Sequence, residues 1–259
     1  SIGGLMKIYY AIIFFLLGIS LASFYGVVGK RLLKGESIGK PRSHCDSCHH
    51  QLSSKELIPI FSFLLLKGKC KYCHQKLDIS EPLLELFTGI SFAILYWYYG
   101  VSYNLWISLI LISLLDLIFI TDFTEMLILD SPLIISSILI FFLKLYYYDL
   151  TYAFKGVLAG LILFLFMLLV GFIGKILFKR EALGGGDIKL SFVMGLTLSL
   201  PLGFVSLILS TFLALPYATF SLFSTKEREV PFGPFLISSL LIVFLFSEKF
   251  MNILYLFYL

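Results

Sequence analysis

The chain has 259 residues, of which 59% are hydrophobic and only 14% are charged. Soluble domains carry about a quarter charged residues, so this composition excludes a soluble domain and indicates an integral membrane protein. The net charge of +4 does not indicate nucleic-acid binding, because the basic residues lie in loops beside apolar segments, as membrane orientation signals do.

Uncharged apolar runs recur along the chain, and about 20 apolar residues suffice to cross a bilayer. They predict an all-α membrane protein, a polytopic bundle of about eight transmembrane helices at 6–29, 82–99, 104–121, 132–148, 154–174, 188–200, 203–222 and 232–250. Three segments result: the first transmembrane helix at 6–29, a polar loop at 30–81, and a membrane core at 82–259.

The uncharged stretch 190–225 is too long for one helix, and we expect it to break at Pro201-Leu202-Gly203. The helix before the break would be about 20 Å long, which is less than a hydrocarbon core of about 30 Å. Such a short helix could cross as a tilted span, or the break could lie at Pro216 instead, which would make the helix longer. Alternatively, the membrane is locally thinned and admits water near Asp187.

Basic residues are distributed unevenly between the two sides of the predicted bundle. Ten of the twenty Lys and Arg residues lie in loop 30–81. Six more fall on the same side: Lys175, Lys179, Arg180, Lys189, Lys226 and Arg228. The other side has Lys7, Lys144, Lys155 and Lys249. Because positive loops stay in the cytoplasm, loop 30–81 is predicted to be cytoplasmic, with both chain ends outside.

All four cysteines lie in loop 30–81, as Cys45-x-x-Cys48 and Cys70-x-x-Cys73. Two CxxC pairs at this distance are typical of a tetrahedral zinc site of four thiolates, which would be structural because no position is left for water. The alternative is a pair of redox motifs without metal. The neighbouring histidines, His44, His49, His50 and His74, are expected to be solvated.

Ionisable residues inside membrane segments are costly and point to function. Asp187 ends the segment Gly184-Gly185-Gly186, whose glycines would let an extended peptide approach the carboxylate; alternatively, Asp187 only caps the next helix. Asp122 is predicted at the same depth, where two carboxylates could share a proton and activate water. Alone, it would be a solvated interfacial acid.

Two other acids are weaker candidates. Asp116 lies about 9 Å deeper along the same helix as Asp122, and could be a packing residue, a proton relay or the true partner of Asp187. Glu85 is one turn into the second span, where orientation or helix packing is its expected role.

Several motifs together resemble the type IV prepilin peptidase family, whose members are GxGD-type membrane aspartic proteases. The family's GxGDxK element corresponds to Gly184–Lys189, preceded by Glu181, and its spacing of eight residues between two acids corresponds to Asp122 and Asp130, with Leu129 in place of the usual Pro. Further matches are Gly18-Ile19-Ser20-Leu21-Ala22-Ser23-Phe24 with Val27, Val28 and Arg31, then Arg42-Ser43-x-Cys45, Leu57-Ile58-Pro59 and Pro231-Phe232-Gly233-Pro234.

The resemblance implies an enzyme of the bacterial cytoplasmic membrane whose active site faces the cytoplasm. Its substrates would be prepilins or pseudopilins with a short basic leader, cleaved after a Gly that precedes the hydrophobic helix. Asp122 and Asp187 would be catalytic, and Gly184, Gly186 and Lys189 would contact substrate. Many members also methylate the new amino terminus with S-adenosylmethionine, and loop 30–81 is the only polar region large enough to hold that cofactor.

Two other functions fit parts of the pattern. A proton- or ion-coupled transporter would also carry intramembrane acids, but it predicts an inverted repeat and acids at the midplane. A membrane scaffold with a zinc docking loop would leave the glycine-rich segment before Asp187 unexplained.

Overall fold

The computed structural model describes residues 2–40, 42–45, 47–179, 183–224 and 230–257. Arg180, Glu181, Lys226 and Arg228, which entered the orientation and family arguments, lie outside the described residues. The chain divides into two compact units, Ser1–Leu105 and Trp106–Leu259.

The described residues form ten α-helices and no β-strand, which confirms the all-α expectation; only isolated β-bridges occur, both in the loop before α3. The helices are α1 (Ile2–Leu33), α2 (Phe61–Leu65), α3 (Ser80–Tyr99), α4 (Tyr103–Glu125), α5 (Asp130–Tyr147), α6 (Leu150–Phe178), α7 (Gly185–Thr197), α8 (Leu200–Ser224), α9 (Gly233–Leu245) and α10 (Ser247–Phe257).

Five of these helices are long and apolar enough to cross a membrane: α1, α4, α5, α6 and α8. The bent pair α9–α10 would make a sixth span if it counts as one. A multi-pass membrane protein is therefore confirmed, whereas the predicted eight spans are confirmed only in part. Glu81 and Glu85 lower the hydropathy of α3, and α7 has only 13 residues.

The predicted span 232–250 differs most from the structure. It is bent by 83° between α9 and α10, at Phe246. No proline or glycine marks this position, so the apolar run alone gave no reason to divide it. The charged residues Glu248 and Lys249 follow directly in the first turn of α10.

The expected break in stretch 190–225 is present, at Leu198 and Ser199. Pro201 occupies the first turn of α8, where a missing backbone N–H leaves no intrahelical hydrogen bond unmade. Pro216 lies inside α8, which continues past it. The short helix before the break is therefore real, with its bounds three residues earlier than predicted.

In the unit Ser1–Leu105, α1 packs along α3. The two helices approach closely at Gly18, where a Cβ would lie 2.8 Å from the Cα of Gly89. A side chain at this crossing would force the helices apart, as in other membrane helix pairs that meet through small residues.

In the unit Trp106–Leu259, α7 is the central helix and contacts α5, α6, α8 and α9. Seven of its residues are buried, from Leu190 to Thr197. Its closest neighbour is α6: a Cβ on Gly195 would lie 2.5 Å from the carbonyl oxygen of Ala159, and one on Gly160 would lie 2.7 Å from that of Phe192. These backbone contacts fix the helix that carries Asp187 in its first turn.

Candidate functional site

Asp122 lies in the last turn of α4 and is 5% exposed. Its Oδ2 atom accepts a hydrogen bond from the backbone N–H of Gly233 at 3.0 Å. Gly233 is the first residue of α9, so this N–H has no acceptor within its own helix. The positive end of the α9 dipole therefore faces the Asp122 carboxylate and stabilises its charged form.

Asp187 is the third residue of α7. Its carboxylate turns back toward the helix start, where it interacts with the backbone N–H of Gly184. A Cβ at position 184 would lie 3.0 Å from Oδ2 of Asp187, so a side chain at this position would crowd the carboxylate. Gly184 is the N-cap residue of α7 and Asp187 lies three positions further on, so Asp187 does not occupy the capping position that the alternative interpretation gave it.

Asp187 lies in the first turn of α7, and Asp122, at the end of α4, binds the first residue of α9; α7 and α9 pack against each other. The two carboxylates are close enough for the charge of Asp122 to act on Asp187. The structure therefore brings together the two acids that the sequence singled out, although they are 65 positions apart.

Ile128 joins the two helix starts. A Cβ on Gly186 would lie 2.6 Å from Ile128 Cβ, and one on Gly233 would lie 2.7 Å from Ile128 Cδ1. One buried side chain from the α4–α5 connection therefore touches both helices, and glycine at each contact makes this possible. Nothing in the sequence marked Ile128 as a contact residue, and Gly233 stood out only as part of a family motif.

The three glycines before Asp187 differ in their surroundings. Gly184 and Gly185 are exposed, and a Cβ on Gly185 would meet nothing within 4 Å. Gly186, predicted to contact substrate, packs instead against Ile128. The open side of this segment is therefore at Gly184 and Gly185.

Lys189, also predicted to contact substrate, forms an ion pair with Asp130. Its Nζ atom lies 2.6 Å from Oδ1 and 2.7 Å from Oδ2 of that carboxylate. The two side chains are 50% and 57% exposed. This pair joins the fifth residue of α7 to the first residue of α5. Asp130, the second acid of the family spacing, therefore has a structural partner.

The other acids lie away from this pair. Asp116 is fully buried within α4, about two turns from Asp122. Glu85, in the other unit, is buried and accepts a hydrogen bond from the backbone N–H of Ile60 at 2.7 Å. Asp187 has Asp122 as its charged carboxylate neighbour, which favours Asp122 over Asp116 as its partner.

The four cysteines converge in the unit Ser1–Leu105. Their sulfur atoms all lie within 4.8 Å of one another, and the Sγ atoms of Cys45 and Cys73 are 3.8 Å apart. Four sulfurs placed tetrahedrally at 2.3 Å from a zinc ion are about 3.8 Å from each other. The donor set therefore fits one zinc ion.

The two CxxC segments share one backbone pattern. The N–H of Cys45 donates to the carbonyl of His50, and the N–H of Cys70 donates to that of Gln75. The residue after each second cysteine, His49 or His74, is left-handed with φ of 56°. The pKa of the Cys70 thiol is lowered, chiefly by the backbone N–H of Cys73, while the pKa of the Cys73 thiol is raised, so Cys70 is the first of the two to form the thiolate that a metal binds.

These features define a multi-pass helical membrane protein with two neighbouring carboxylates, one at the end of α4 and one at the start of α7, and a four-cysteine loop. Comparison with known protein families identifies the family to which the chain belongs. The model of the bacterial peptidase A24 N-terminal domain matches residues 16–99, and that of the type IV leader peptidase family matches residues 109–219. The chain belongs to the type IV leader peptidase family, and the two matches meet near the boundary between its two units.

Curated relatives cover nearly the whole chain. A prepilin leader peptidase/N-methyltransferase of Bacillus subtilis is 33% identical over 92% of this chain and 94% of its own length. One of Vibrio cholerae is 30% identical over 95% of this chain and 100% of its own length. One of Neisseria gonorrhoeae is 35% identical over 81% and 73%. No solved structure matches.

Proposed function

We propose that this chain cleaves the basic leader peptide from prepilins or pseudopilins and then N-methylates the new amino terminus. The relatives that cover its length bear the name prepilin leader peptidase/N-methyltransferase, which supports both activities. The observation that carries the proteolytic part is that Asp187, in the first turn of α7, and Asp122, bound to the first residue of α9, meet where these two helices pack together and Ile128 contacts both.

The chemistry of such a pair is that of an aspartic peptidase. Two adjacent carboxyl groups hold one proton between them, because a second negative charge at close range is disfavoured. The ionised group takes a proton from water as the water oxygen bonds to the scissile carbonyl carbon, and the protonated group donates its proton to the carbonyl oxygen. The tetrahedral intermediate collapses when the C–N bond breaks: the leaving nitrogen takes the proton that the first carboxylate removed from water, and the carbonyl oxygen returns its proton to the second. Asp122, which accepts from the Gly233 N–H at the start of α9, is proposed to be the carboxylate that starts ionised.

We place the cleavage at the cytoplasmic face of a bacterial cytoplasmic membrane. The supporting observation is the excess of lysine and arginine in loop 30–81 and in the connections on its predicted side. In that orientation, Asp122 at the end of α4 and Asp187 at the start of α7 both face the cytoplasm, as a basic leader on that side requires.

The peptide is proposed to pass along the open side of Gly184 and Gly185, beside the Asp187 carboxylate. Gly186 contributes by letting α7 approach Ile128, and Lys189 by holding α7 to Asp130. A positive Lys189 in direct contact would repel a basic leader, so neutralisation by Asp130 favours a positioning role.

Zinc, held by Cys45, Cys48, Cys70 and Cys73, is proposed to be structural. Metal-binding energy in such a loop is folding energy. S-adenosylmethionine supplies the methyl group when it is bound, and loop 30–81 is the proposed place for it. Among the described residues, no arrangement of side chains identifies that cofactor's site.

The test of the proteolytic assignment is leader release from a prepilin by the purified protein in lipid. Asp122→Asn and Asp187→Asn should each abolish release while the protein stays folded, since Asn keeps the size and an acceptor oxygen for Gly233. Asp149→Asn is the matched control, because Asp149 caps α6 by accepting from the N–H of Tyr152, and Asn caps equally well. Normal cleavage by Asp122→Asn would refute the assignment.

Methylation is tested with a pre-cleaved peptide and a methyl-labelled cofactor. An enzyme carrying Asp187→Asn should still label this peptide, because methyl transfer does not need the carboxylate pair. The amine needs no special base, since an α-amino group with a pKa near 8 is partly neutral at cytoplasmic pH. Absence of label from zinc-loaded, proteolytically active wild-type protein would remove this half of the proposal.

A further inference from the structure

Helix α2 is a short apolar helix whose side chains are not buried. Its sequence is Phe-Ser-Phe-Leu-Leu, and none of its five residues is buried. Leu65 is 81% exposed, Leu64 64% and Phe61 57%, with Leu57 and Ile58 at 45% and 46% just before them. Single exposed apolar residues are ordinary, but five within nine residues of a polar loop indicate a contact surface.

This apolar patch is held in place rather than loosely attached. The N–H of Ile60, which precedes α2, donates to Oε2 of the buried Glu85 at 2.7 Å. Ile60 has φ of 62°, a conformation that is rare for a β-branched residue and needs such a tie. Phe63 is half-buried and packs over Gly68, where its Cζ atom would lie 3.0 Å from a Cβ. Phe61, Leu64 and Leu65 are the exposed side chains of α2.

The tie also sets the level of α2 along the helices beside it. Glu85 is the sixth residue of α3 and lies half a turn from Leu83. Leu83 begins a stripe of exposed apolar residues at helical spacing: Leu83, Phe87, Ile90 and Ile94. Helix α1, a candidate membrane span, packs along α3. The patch is therefore fixed where the apolar surface of the α1–α3 pair begins.

The residues around the patch are basic. Lys55, Lys67, Lys69 and Lys71 are exposed on either side of it, and Glu56 is the acid in the same stretch. An apolar helix bordered by lysines is complementary to a membrane surface, whose headgroups accept the charges while the acyl boundary accepts the side chains. Lysines near an anionic leaflet add to such binding.

We propose that α2 is an interfacial helix that inserts Phe61, Leu64 and Leu65 into an anionic membrane surface. The lysines beside it bind lipid phosphates, and Glu85 holds the helix at that level through Ile60. The four-cysteine loop is in consequence attached to the membrane surface by a contact of its own, in addition to its two flanking helices.

The test uses the full chain in lipid nanodiscs of phosphatidylglycerol and phosphatidylcholine. With Trp97 and Trp106 changed to Phe, single tryptophans report their surroundings in the variants Leu65→Trp and Leu64→Trp. Leu64 and Leu65 are both exposed, so a tryptophan at either position should leave the fold intact. Brominated acyl chains should reduce the emission of each about twofold, with a blue-shifted maximum, as for a helix buried about 5–10 Å into the headgroup boundary. Tyr72→Trp, in the second CxxC segment, should stay unquenched with a water-like maximum.

Three results would overturn the proposal. One is water-like, unquenched emission at positions 64 and 65. A second is blue-shifted emission without quenching, which would mean that protein covers the patch, from a second copy or from substrate. The third is quenching that does not fall when phosphatidylglycerol is omitted, or that is as strong for the variant with Lys67→Gln and Lys69→Gln, since the lysines would then have no part in the contact.

Discussion

The carboxylate of Asp122 and the backbone N–H of Gly233 are joined by a 3.0 Å hydrogen bond between the end of α4 and the start of α9. A Cβ at position 233 would lie 2.9 Å from Asp122 Oδ2 and 2.7 Å from Ile128 Cδ1. The hydrogen bond therefore depends on glycine at position 233. The position of the Asp122 carboxylate, which is ionised in the proposed mechanism, depends on this glycine as well.

We expect Gly233→Ala to reduce leader release by about 100-fold, because a shift of about 1 Å in a catalytic group has effects of that order. Gly26→Ala is a suitable control, since a Cβ at this position in α1 meets nothing within 4 Å. Cleavage kinetics of both variants would decide the matter. Near-normal activity of Gly233→Ala would show that the hydrogen bond is not needed.

Gly185 and Gly186 form a matched pair for a second prediction. Gly186→Ala places a Cβ 2.6 Å from Ile128, whereas Gly185→Ala meets open space. We expect Gly186→Ala to lose most activity and to lower the thermal midpoint, and Gly185→Ala to stay as stable as wild type. Any loss in Gly185→Ala should appear in KM, because its open side is where the peptide is proposed to pass. Equal stability of both variants would contradict the packing role of Gly186.

The Lys189–Asp130 ion pair leads to a double-mutant prediction. If Lys189 acts by holding α7, then Lys189→Met, Asp130→Asn and the double variant should lose similar activity, since each removes the same contact. The stability cost should be about 0.2–1 kcal/mol, because both side chains are half exposed. A KM increase in Lys189→Met that Asp130→Asn does not share would instead restore the direct substrate contact predicted from the sequence.

Metal analysis tests the cysteine site. Purified, reduced protein prepared without chelator should contain one zinc per chain, and Cys48→Ser should lose the metal and lower the thermal midpoint. His74→Asn should keep the zinc, because the clustered ligand set consists of the four cysteines without His74, and Asn tolerates the left-handed backbone at this position. Protein prepared in this way without metal, yet fully stable, would rule the site out.

Leu129 stands where the family pattern usually has proline. Its φ is −72° and its ψ 136°, which a proline ring adopts without strain. Leu129→Pro should therefore stabilise the protein by about 0.4–1 kcal/mol through the unfolded chain, with cleavage unchanged. Thermal unfolding in detergent, with Leu129→Gly expected to be less stable than wild type, would test this; a lower midpoint for the proline variant would contradict it.

How far the sequence could predict this molecule depends on the kind of feature. Asp122, Asp187 and the four cysteines could be singled out because charged or thiol side chains are conspicuous in an apolar chain and their chemistry limits what they do. The sequence predicted α7 as a short helix, but not its central position in the unit. The roles of Ile128 and Gly233 could not be predicted, because they depend on helix starts that pack so closely that no Cβ would fit at the contact. The bend at Phe246 could not be anticipated either, because no proline or glycine marks it.

The backbone contact between Gly195 and Ala159 has a consequence for the far end of α7. Gly195 and Asp187 are eight residues, or about 12 Å, apart on one helix. Since α7 cannot turn at Gly195 without a clash, the rotational phase of the Asp187 carboxylate is set there. One residue inserted between these positions would swing the carboxylate by about 100° around the helix axis, whereas an insertion ahead of Gly184 would leave its direction unchanged. Insertions and deletions in this family should therefore be tolerated ahead of Gly184 and excluded between Asp187 and Gly195.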